Sequence, residues 1–374
     1  MNTERKMKRK SKFNLYSYSL GKNEVQESSE DVIGEILKKF EDPRITDIHF
    51  EPGEKVKIRI RYCGKLIDSY ELPVEDYKVI VNRLLVLCGL DVVMNHYNAD
   101  GSFEYAKVTY RVSFIESLRG VSCVIRRLRD ISQVFVDLPE GLLDKISGLI
   151  RSRTKVIIFS GPTGSGKSTT MSYITGKLKD KYKVHTIENP VEFKIPGTIQ
   201  IQINKDEDPM EKFKYILRQD PEIIVVGELR SSAFAKLLFD SSVSGNSVFT
   251  SLHCSNVFEI VSRLRSLGVS DSNISSCIDI MLNQRLIPQV CPLCKGIGCP
   301  KCYDTGYSGY LNLFEVLYAN EDFKNDITLG MNDMELKNKY KNTSDYLNPD
   351  VKLQYYFDHK LIDQKTYDEL KCSF

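Results

Sequence analysis

Tryptophan and long apolar runs are the two clearest absences from this chain of 374 residues. No segment approaches the ~18 consecutive apolar residues of a membrane span. The basic run Met1–Lys12 also lacks the apolar core of a signal peptide. Its six Lys or Arg against one Glu are typical of a solvated tail, although attraction to anionic lipid stays open. Any membrane association is therefore expected to be peripheral.

The chain also lacks a strong net charge and a disulfide-type cysteine pattern. Its formal charge of +2 provides no general attraction to nucleic acid. The ten cysteines do not suggest a disulfide scaffold in a chain this long, and six of them are scattered. The other four form a C-x2-C-x4-C-x2-C pattern: Cys291, Cys294, Cys299 and Cys302. This spacing predicts a reducing compartment and one structural zinc site, with free thiols or two disulfides as the alternatives.

Hydrophobic patterning predicts a small α+β domain over residues 30–135. Apolar positions fall at helical spacing in Asp31–Phe40, and Tyr77–Leu90 is a second predicted helix. Strands, with a turn at Cys63–Gly64, are predicted at Asp47–Phe50, Val56–Tyr62, Val108–Phe114 and Ser122–Leu128. The segment Asp130–Gly141 is expected to connect this domain to the next.

Beyond the connector, short buried strands alternate with helices, which is the pattern of a doubly wound parallel α/β sheet. The predicted strands are Val156–Ser160, Lys183–Ile187, Glu222–Val226 and Ser247–Ser251. After the cysteine cluster, Glu321–Phe374 is predicted to be a helical, charged tail.

A glycine-rich segment between a predicted strand and a predicted helix matches the phosphate-loop pattern G-x4-G-K-[S/T]. Its residues are Gly161, Pro162, Thr163, Gly164, Ser165, Gly166, Lys167 and Ser168, followed by Thr169 at the start of the helix. The glycines let backbone N–H groups close around phosphate oxygens. Lys167 is expected to reach the β- and γ-phosphates, and the Ser168 hydroxyl to bind Mg²⁺.

Acidic residues follow two other predicted strands of the same sheet. Glu228 comes after Glu222–Val226, the position of a Walker B carboxylate that holds a Mg²⁺ water or polarises the attacking one. Glu188 and Glu192 follow Lys183–Ile187, and His253 follows the strand after Glu228. Surface acids at strand ends and a structural histidine are the plain alternatives for these three residues.

Taken in order, the segments GPTGSGKS, TIENPVEF, VVGELR and TSLHCSN resemble the four nucleotide-site motifs of the type II secretion and type IV pilus assembly ATPase family. The resemblance covers about residues 44–318, including Thr46–Pro52, Leu84–Ser102 and the cysteine cluster. It implies a RecA-like P-loop ATPase core, a smaller PAS-like α+β N-terminal domain and a four-cysteine zinc subdomain. The implied cofactors are ATP, Mg²⁺ and Zn²⁺.

The resemblance also implies residue roles. Lys167 and Ser168 would bind nucleotide and Mg²⁺, Glu228 would be the Walker B acid, and an acid of the Glu188–Glu192 segment would be the catalytic base. His253 would belong to the family's histidine box. The resemblance further implies that Arg111 and Arg126 of the smaller domain reach the nucleotide, where arginine can neutralise charge developing on the γ-phosphate.

Three departures from the family pattern stand within this region: Asn189, Ser231 and the tripeptide Ser244-Gly245-Asn246. None removes a principal site residue, so we expect an active enzyme, if a slow one. The expected domains are a basic tail (1–29), the α+β domain (30–135), the ATPase core (136–290), the zinc subdomain with the return to the core (291–318) and a helical region (319–374).

The resemblance implies a cytoplasmic homo-hexamer that is peripherally associated with the membrane. It would act on a polytopic inner-membrane platform protein and, indirectly, on pilin or pseudopilin, without direct nucleic-acid binding. Because only the tail 1–29 precedes the small domain, the chain resembles the short form of the family, the competence-pseudopilus ATPase. Alternatives are a retraction-type motor, which the cysteine cluster disfavours, a RecA-like nucleic-acid translocase or helicase, and a non-catalytic binding subunit.

Overall fold

The computed structural model describes residues 32–92, 98–151, 156–204, 207–243 and 245–371. The chain divides into two compact units, Met1–Arg127 and Leu128–Phe374. The basic run Met1–Lys12 and residues 93–97 of the predicted helix-and-loop segment lie outside the described residues. Among the described helices, none is both long enough and apolar enough to cross a bilayer.

The first unit is built on a six-stranded antiparallel sheet in the order β3-β2-β1-β6-β5-β4. Its strands are β1 (Ile45–Glu51), β2 (Val56–Tyr62), β3 (Lys65–Leu72), β4 (Ala99–Tyr105), β5 (Val108–Ser117) and β6 (Gly120–Arg127). Helix α1 (Val74–Leu87) and the helical residues 32–41 complete the unit. Alternate residues of β2 are buried, and Ile58 and Ile60 share one core with Leu84 of α1. The unit is therefore an α+β layer structure around a single core.

Two strands of this sheet were not predicted from the sequence. Lys65–Leu72 exposes most of its side chains at least partly, and Ala99–Tyr105 buries only Phe103. Both lie at the edges of the sheet, where little hydrophobic alternation is required. The predicted helix Tyr77–Leu90 instead spans Val74–Leu87, because the chain turns at Gly89, which has a φ of +66°.

The second unit contains an eight-stranded sheet in the order β11 (Ile199–Gln202), β9 (Val184–Glu188), β12 (Ile223–Val226), β13 (Ser247–Leu252), β8 (Val156–Ser160), β14 (Ile278–Val290), β15 (Tyr307–Tyr318) and β16 (Tyr346–Leu347). The first six strands of this order are parallel to one another, whereas β15 is antiparallel to β14 and β16 is antiparallel to β15. Apolar clusters cover both faces: Ile158 and Phe213 belong to one, and Ile157 and Ile174 belong to the other. The doubly wound α/β architecture predicted from the sequence is thus confirmed.

The bounds of the elements of the second unit follow the predicted alternation. The strands are β7 (Arg129–Asp130), β8 (Val156–Ser160), β9 (Val184–Glu188), β10 (Phe193–Lys194), β11 (Ile199–Gln202), β12 (Ile223–Val226), β13 (Ser247–Leu252), β14 (Ile278–Val290), β15 (Tyr307–Tyr318) and β16 (Tyr346–Leu347). The helices are α2 (Leu142–Arg151), α3 (Lys167–Leu178), α4 (Pro209–Leu217), α5 (Ser232–Val243), α6 (Glu259–Ser266), α7 (Asp271–Cys277), α8 (Glu321–Thr328), α9 (Asp333–Tyr340), α10 (Pro349–Asp358) and α11 (Gln364–Lys371). β7 pairs with β10 in a separate two-stranded ladder.

The carboxyl-terminal region is helical, as predicted, but it is part of the folded unit rather than an appended tail. Phe323 of α8 and Leu336 of α9 are fully buried in the main core cluster. The short strand Tyr346–Leu347 pairs with β15 and extends the sheet. The sequence does not predict that these helices are part of the folded unit, because most of their residues are charged or polar and only a few apolar side chains per helix face the core.

Candidate functional site

The phosphate-loop segment lies between β8 and α3, as its sequence predicts. The loop glycines Gly161, Gly164 and Gly166 have φ values of 140°, 76° and 89°, a region that side chains disfavour. A Cβ atom on Gly161 would lie 2.4 Å from the carbonyl oxygen of Gln284. Glycine is therefore required there both by backbone conformation and by the close approach of β14.

Lys167 is the first residue of α3 and is 8% exposed. Its Nζ donates hydrogen bonds to the carbonyl oxygens of Gly161 at 2.7 Å and Pro162 at 2.9 Å, which hold the ammonium over the loop. Burial lowers the pKa of Lys167, and the negative charge of Glu228 opposes this shift. The ammonium and the positive end of the helix dipole create a local site for anions.

A cavity of about 530 Å³ opens at the carboxyl ends of the parallel strands, where doubly wound sheets bind ligands. The predicted site residues that line it are Thr163, Gly164, Lys167, Ser168, Glu188, Glu192, Glu228 and His253. The substituted positions Asn189 and Ser231 line it as well, whereas Ser244 lies outside the described residues. The structure therefore brings the phosphate loop, three carboxylates and the histidine around one cavity.

Glu228 has a cationic partner and an imidazole partner. Arg230 donates to its Oε2 from 2.6 Å, and Nε2 of His253 lies 3.2 Å from its Oε1. The hydrogen bond from Arg230 lowers the pKa of Glu228, so this residue is held as a carboxylate. Arg230 is not among the predicted site residues, although it is the last residue of the VVGELR segment.

Glu188 occupies a different environment from Glu228. Burial raises the pKa of Glu188, while hydrogen bonds from Thr186 Oγ1 at 2.7 Å and Gln200 Nε2 at 3.2 Å oppose this shift. Glu192, by contrast, is exposed. Neither Thr186 nor Gln200 is predicted from the sequence as a site residue. Thr186 begins the TIENPVEF segment, but Gln200 belongs to no motif, and only the pairing of β9 with β11 places the two opposite each other.

Arg111 and Arg126 belong to the first unit, whereas the cavity lies in the second. They are directly opposite each other in the antiparallel pair β5–β6, so their side chains share one face of the sheet. Nε of Arg126 donates to Oδ1 of the buried Asp47 at 2.6 Å, and the Arg126 side chain remains 64% exposed.

The four predicted metal ligands come together at the tip of the hairpin formed by β14 and β15. Their sulfur atoms all lie within 4.8 Å of one another. The Cys299–Cys302, Cys294–Cys302 and Cys291–Cys299 sulfurs are 3.7, 3.8 and 4.0 Å apart. Four sulfurs bound ~2.3 Å from one tetrahedral ion would be separated by ~3.8 Å, so the cluster fits zinc.

Backbone groups reinforce this fit. The N–H group of Gly298 donates to the sulfur of Cys294 at 3.2 Å, and the N–H group of Cys299 donates to the sulfur of Cys302 at the same distance. Such donors stabilise thiolates, which are the metal-binding form of cysteine. Gly298 has a φ of 107°, which lets the short link between the two cysteine pairs reverse direction.

The strand–loop–helix unit, its lysine and the surrounding acids define a P-loop nucleotide-binding protein. Residues 21–354 match the family described as "Type II/IV secretion system protein". The chain belongs to this family, and the family assignment made from its motifs is confirmed.

Relatives of known name support this assignment. The type IV pilus assembly ATPase PilB of Thermus thermophilus is 30% identical over 335 residues, which cover 78% of this chain and 37% of that protein. The type II secretion system ATPase E of Vibrio cholerae is 31% identical over 328 residues, with 78% of this chain and 64% of that protein covered. The chain thus spans between about a third and two thirds of these relatives.

A solved structure shows the same fold. The ATPase DotB of Legionella pneumophila superposes with a TM-score of 0.70 at 20% identity, covering 92% of this chain and 96% of that one. At this identity the likeness concerns the fold alone.

Proposed function

We propose that the chain hydrolyses ATP and thereby drives the assembly of a type IV pilus, a competence pseudopilus or a type II secretion pseudopilus. The observation that carries the proposal is the grouping of Lys167, Ser168, Glu188, Glu228 and His253 around one cavity. Relatives named as pilus assembly and type II secretion ATPases support the biological setting.

Each residue at the cavity has a role in this proposal. Lys167 and the loop N–H groups bind the phosphates of ATP, and the hydroxyl of Ser168 binds Mg²⁺, which neutralises phosphate charge. Glu228, which is held as a carboxylate, orients or polarises the attacking water together with His253. Glu188, whose pKa is raised by burial, is the better placed acid of the Glu188–Glu192 segment to accept a proton.

We also propose how the protomers assemble and where the chain acts. Arg111 and Arg126 of the smaller domain complete the nucleotide site, since the planar guanidinium can stabilise charge on the γ-phosphate. The chain acts as a cytoplasmic homo-hexamer at the membrane periphery, on a polytopic platform protein that handles pilin or pseudopilin. Residues 291–318 serve as a zinc subdomain within this motor. It lies between the ATPase core (136–290) and the helical region (319–374).

Zinc in this proposal is structural. The cluster leaves no open coordination position, and Leu293 and Ile297 beside it are 65% and 90% exposed. Because these apolar side chains form no core of their own, metal binding stabilises the tip of the hairpin.

Replacing Cys294 with serine should lower the bound zinc from one ion per chain to well below one. Removing one thiolate opens the tetrahedral site and makes folding of the hairpin tip less favourable. Zinc is measured by elemental analysis, and limited proteolysis reports the local loosening. ATP binding by the isolated variant should persist, because no cysteine of the cluster lines the cavity. Zinc-free wild-type protein, purified without chelator and with all four thiols titratable, would contradict the assignment.

Three other functions make different predictions. A retraction-type motor would share the ATPase chemistry, and a nucleic-acid translocase would require DNA to stimulate turnover. The formal charge of +2 does not favour the basic DNA channel of a translocase. The sequence contains no tryptophan, so no indole ring can stack on the bases. A non-catalytic subunit would bind nucleotide without turnover.

The purified chain should form a particle of six 42.8-kDa protomers when ATP is present, and DNA should leave its turnover unchanged. Each protomer would then supply the same surfaces to its neighbours around a closed ring. Light scattering measures the mass, and phosphate release with and without single-stranded DNA measures the turnover. A DNA-dependent rise in turnover would favour the translocase, and a stable monomer at all nucleotide concentrations would contradict the hexameric motor.

A further inference from the structure

Asn283 of β14 is fully buried, although it lies outside every motif of the proposed nucleotide site. In the sheet it is directly opposite Ser160 of β8 on one side and Glu315 of β15 on the other. Ser160 is the residue immediately before the phosphate loop. An amide side chain is uncommon in such a position, because each of its polar atoms must find a partner.

The Asn283 amide joins two segments of the cavity wall. Its Nδ2 donates to Ser160 Oγ at 2.9 Å and to the carbonyl oxygen of Cys254 at 3.0 Å. Cys254 directly follows His253, in the loop that leaves β13. The Ser160 hydroxyl in turn donates to the carbonyl oxygen of Leu282 at 2.9 Å. The start of the phosphate loop and the His253 loop are thus tied to one side chain.

The orientation of this amide is determined by its partners. The carbonyl of Cys254 can only accept, so the NH₂ group of Asn283 must face it. Its Oδ1 is then buried, and no group of the described residues donates a hydrogen bond to it. A buried acceptor without a partner destabilises the folded state, and a purely apolar residue at this position would avoid that cost. The amide is therefore better explained by what its NH₂ group positions than by a contribution to stability.

A second buried side chain of the same hairpin holds the other end of the loop. Glu315 accepts a hydrogen bond from the backbone N–H of Val257 at 2.9 Å and another from the Tyr346 hydroxyl at 2.7 Å. The loop from His253 to Val257 is consequently fixed at both ends by adjacent residues of β14 and β15. Nε2 of His253, 3.2 Å from Glu228, depends on where this loop lies.

We infer that Asn283 is a positioning residue that holds the His253 loop, and with it the contact between His253 and Glu228, in register with the phosphate loop. This inference rests on the proposed ATP hydrolysis. Asn283 lines neither the cavity nor the loop itself, so it acts through Ser160 and the Cys254 carbonyl. Loss of its NH₂ group should displace His253 while leaving the phosphate-binding backbone of residues 161–166 in place.

The test compares Asn283→Leu with a control variant that deletes another buried hydrogen bond of the same unit. Tyr340→Phe serves as that control, because the Tyr340 hydroxyl donates to Asp326 at 2.6 Å, and neither residue lines the cavity. Asn283→Leu should lower kcat by roughly 10- to 100-fold, as misplaced catalytic groups do. KM should change by less than ~3-fold, because ground-state phosphate contacts are retained. Tyr340→Phe should leave both constants unchanged.

A double-mutant cycle separates positioning from a general loss of structure. In a His253→Ala background, Asn283→Leu should cause little further loss of kcat, because the group that it positions is already gone. An equal further loss there, or an equal loss in Tyr340→Phe, would overturn the inference. If Asn283→Leu does not fold, Ser160→Ala removes one of the two acceptors and should shift kcat in the same direction by a smaller factor.

A second readout does not depend on turnover. The chain has five histidines, so selective ¹³C labelling gives few ring signals, and His253→Gln assigns the one of interest. Asn283→Leu should shift or broaden the His253 signal and leave that of His359 unchanged. An unaltered His253 signal would overturn the inference even in an active enzyme. Absence of ATP turnover in the wild type would instead refute the proposed function, and the histidine signals would still decide the positioning.

Discussion

Replacing Lys167 with alanine should lower ATP turnover by at least ~100-fold, comparable to the loss of an oxyanion-stabilising donor in other enzymes. The lysine is 8% exposed, and its Nζ lies within 2.9 Å of two loop carbonyls, where the phosphates of the nucleotide are expected to bind. Because the loop is shaped by backbone conformation, the fold should be retained. Phosphate release and the thermal midpoint of unfolding are measured on the same preparation.

Lys177→Ala is the matched control for this substitution. Lys177 is on the same helix but is exposed, with its Nζ 5.1 Å from the centre of the Tyr173 ring. It should retain wild-type turnover. If Lys167→Ala also retained wild-type turnover, or if both variants lost it equally, the phosphate loop would not be the site of hydrolysis.

Replacing Glu228 with glutamine should stop hydrolysis while nucleotide binding persists. The amide keeps the shape of the side chain but loses the charge that polarises water, and such a group contributes ~10²- to 10⁴-fold to the rate. The Arg230 bond at 2.6 Å and the His253 contact at 3.2 Å show that the site is built around a carboxylate. Turnover is followed by phosphate release, and binding by equilibrium titration with ATP.

A parallel change at Glu192 provides the comparison. Glu192 lines the same cavity but is exposed, so Glu192→Gln should have a smaller effect on turnover. If ATP affinity fell as much as turnover in Glu228→Gln, Glu228 would act by holding the metal rather than by activating water.

Much of the second unit follows from local sequence, because its parallel strands are buried on both faces and are nearly continuous runs of apolar residues. Ile223–Val226 is buried throughout, and its predicted bounds differ by one residue. The edge strands Lys65–Leu72 and Ala99–Tyr105 could not be predicted in this way, since nearly all of their side chains are at least partly exposed. The sequence also concealed the burial of Phe323 and Leu336, because charged residues surround them.

The residues of the candidate site also fall into two groups, those that the local sequence predicts and those that it does not. Residues within motifs, such as Lys167 and Glu228, were predicted because the chemistry requires their type at fixed spacing. Gln200 and Asn283 were not, because each meets its partner through strand pairing between segments distant in sequence. Arg230 lies close to Glu228 along the chain, yet the ion pair depends on side-chain geometry that spacing does not determine.

Release of phosphate from Mg·ATP by the purified wild-type chain tests the central claim most directly. The account predicts steady turnover that requires Mg²⁺, falls to background in Lys167→Ala and is unaffected by Lys177→Ala. Binding of ATP without phosphate release above the Lys167→Ala background would contradict it.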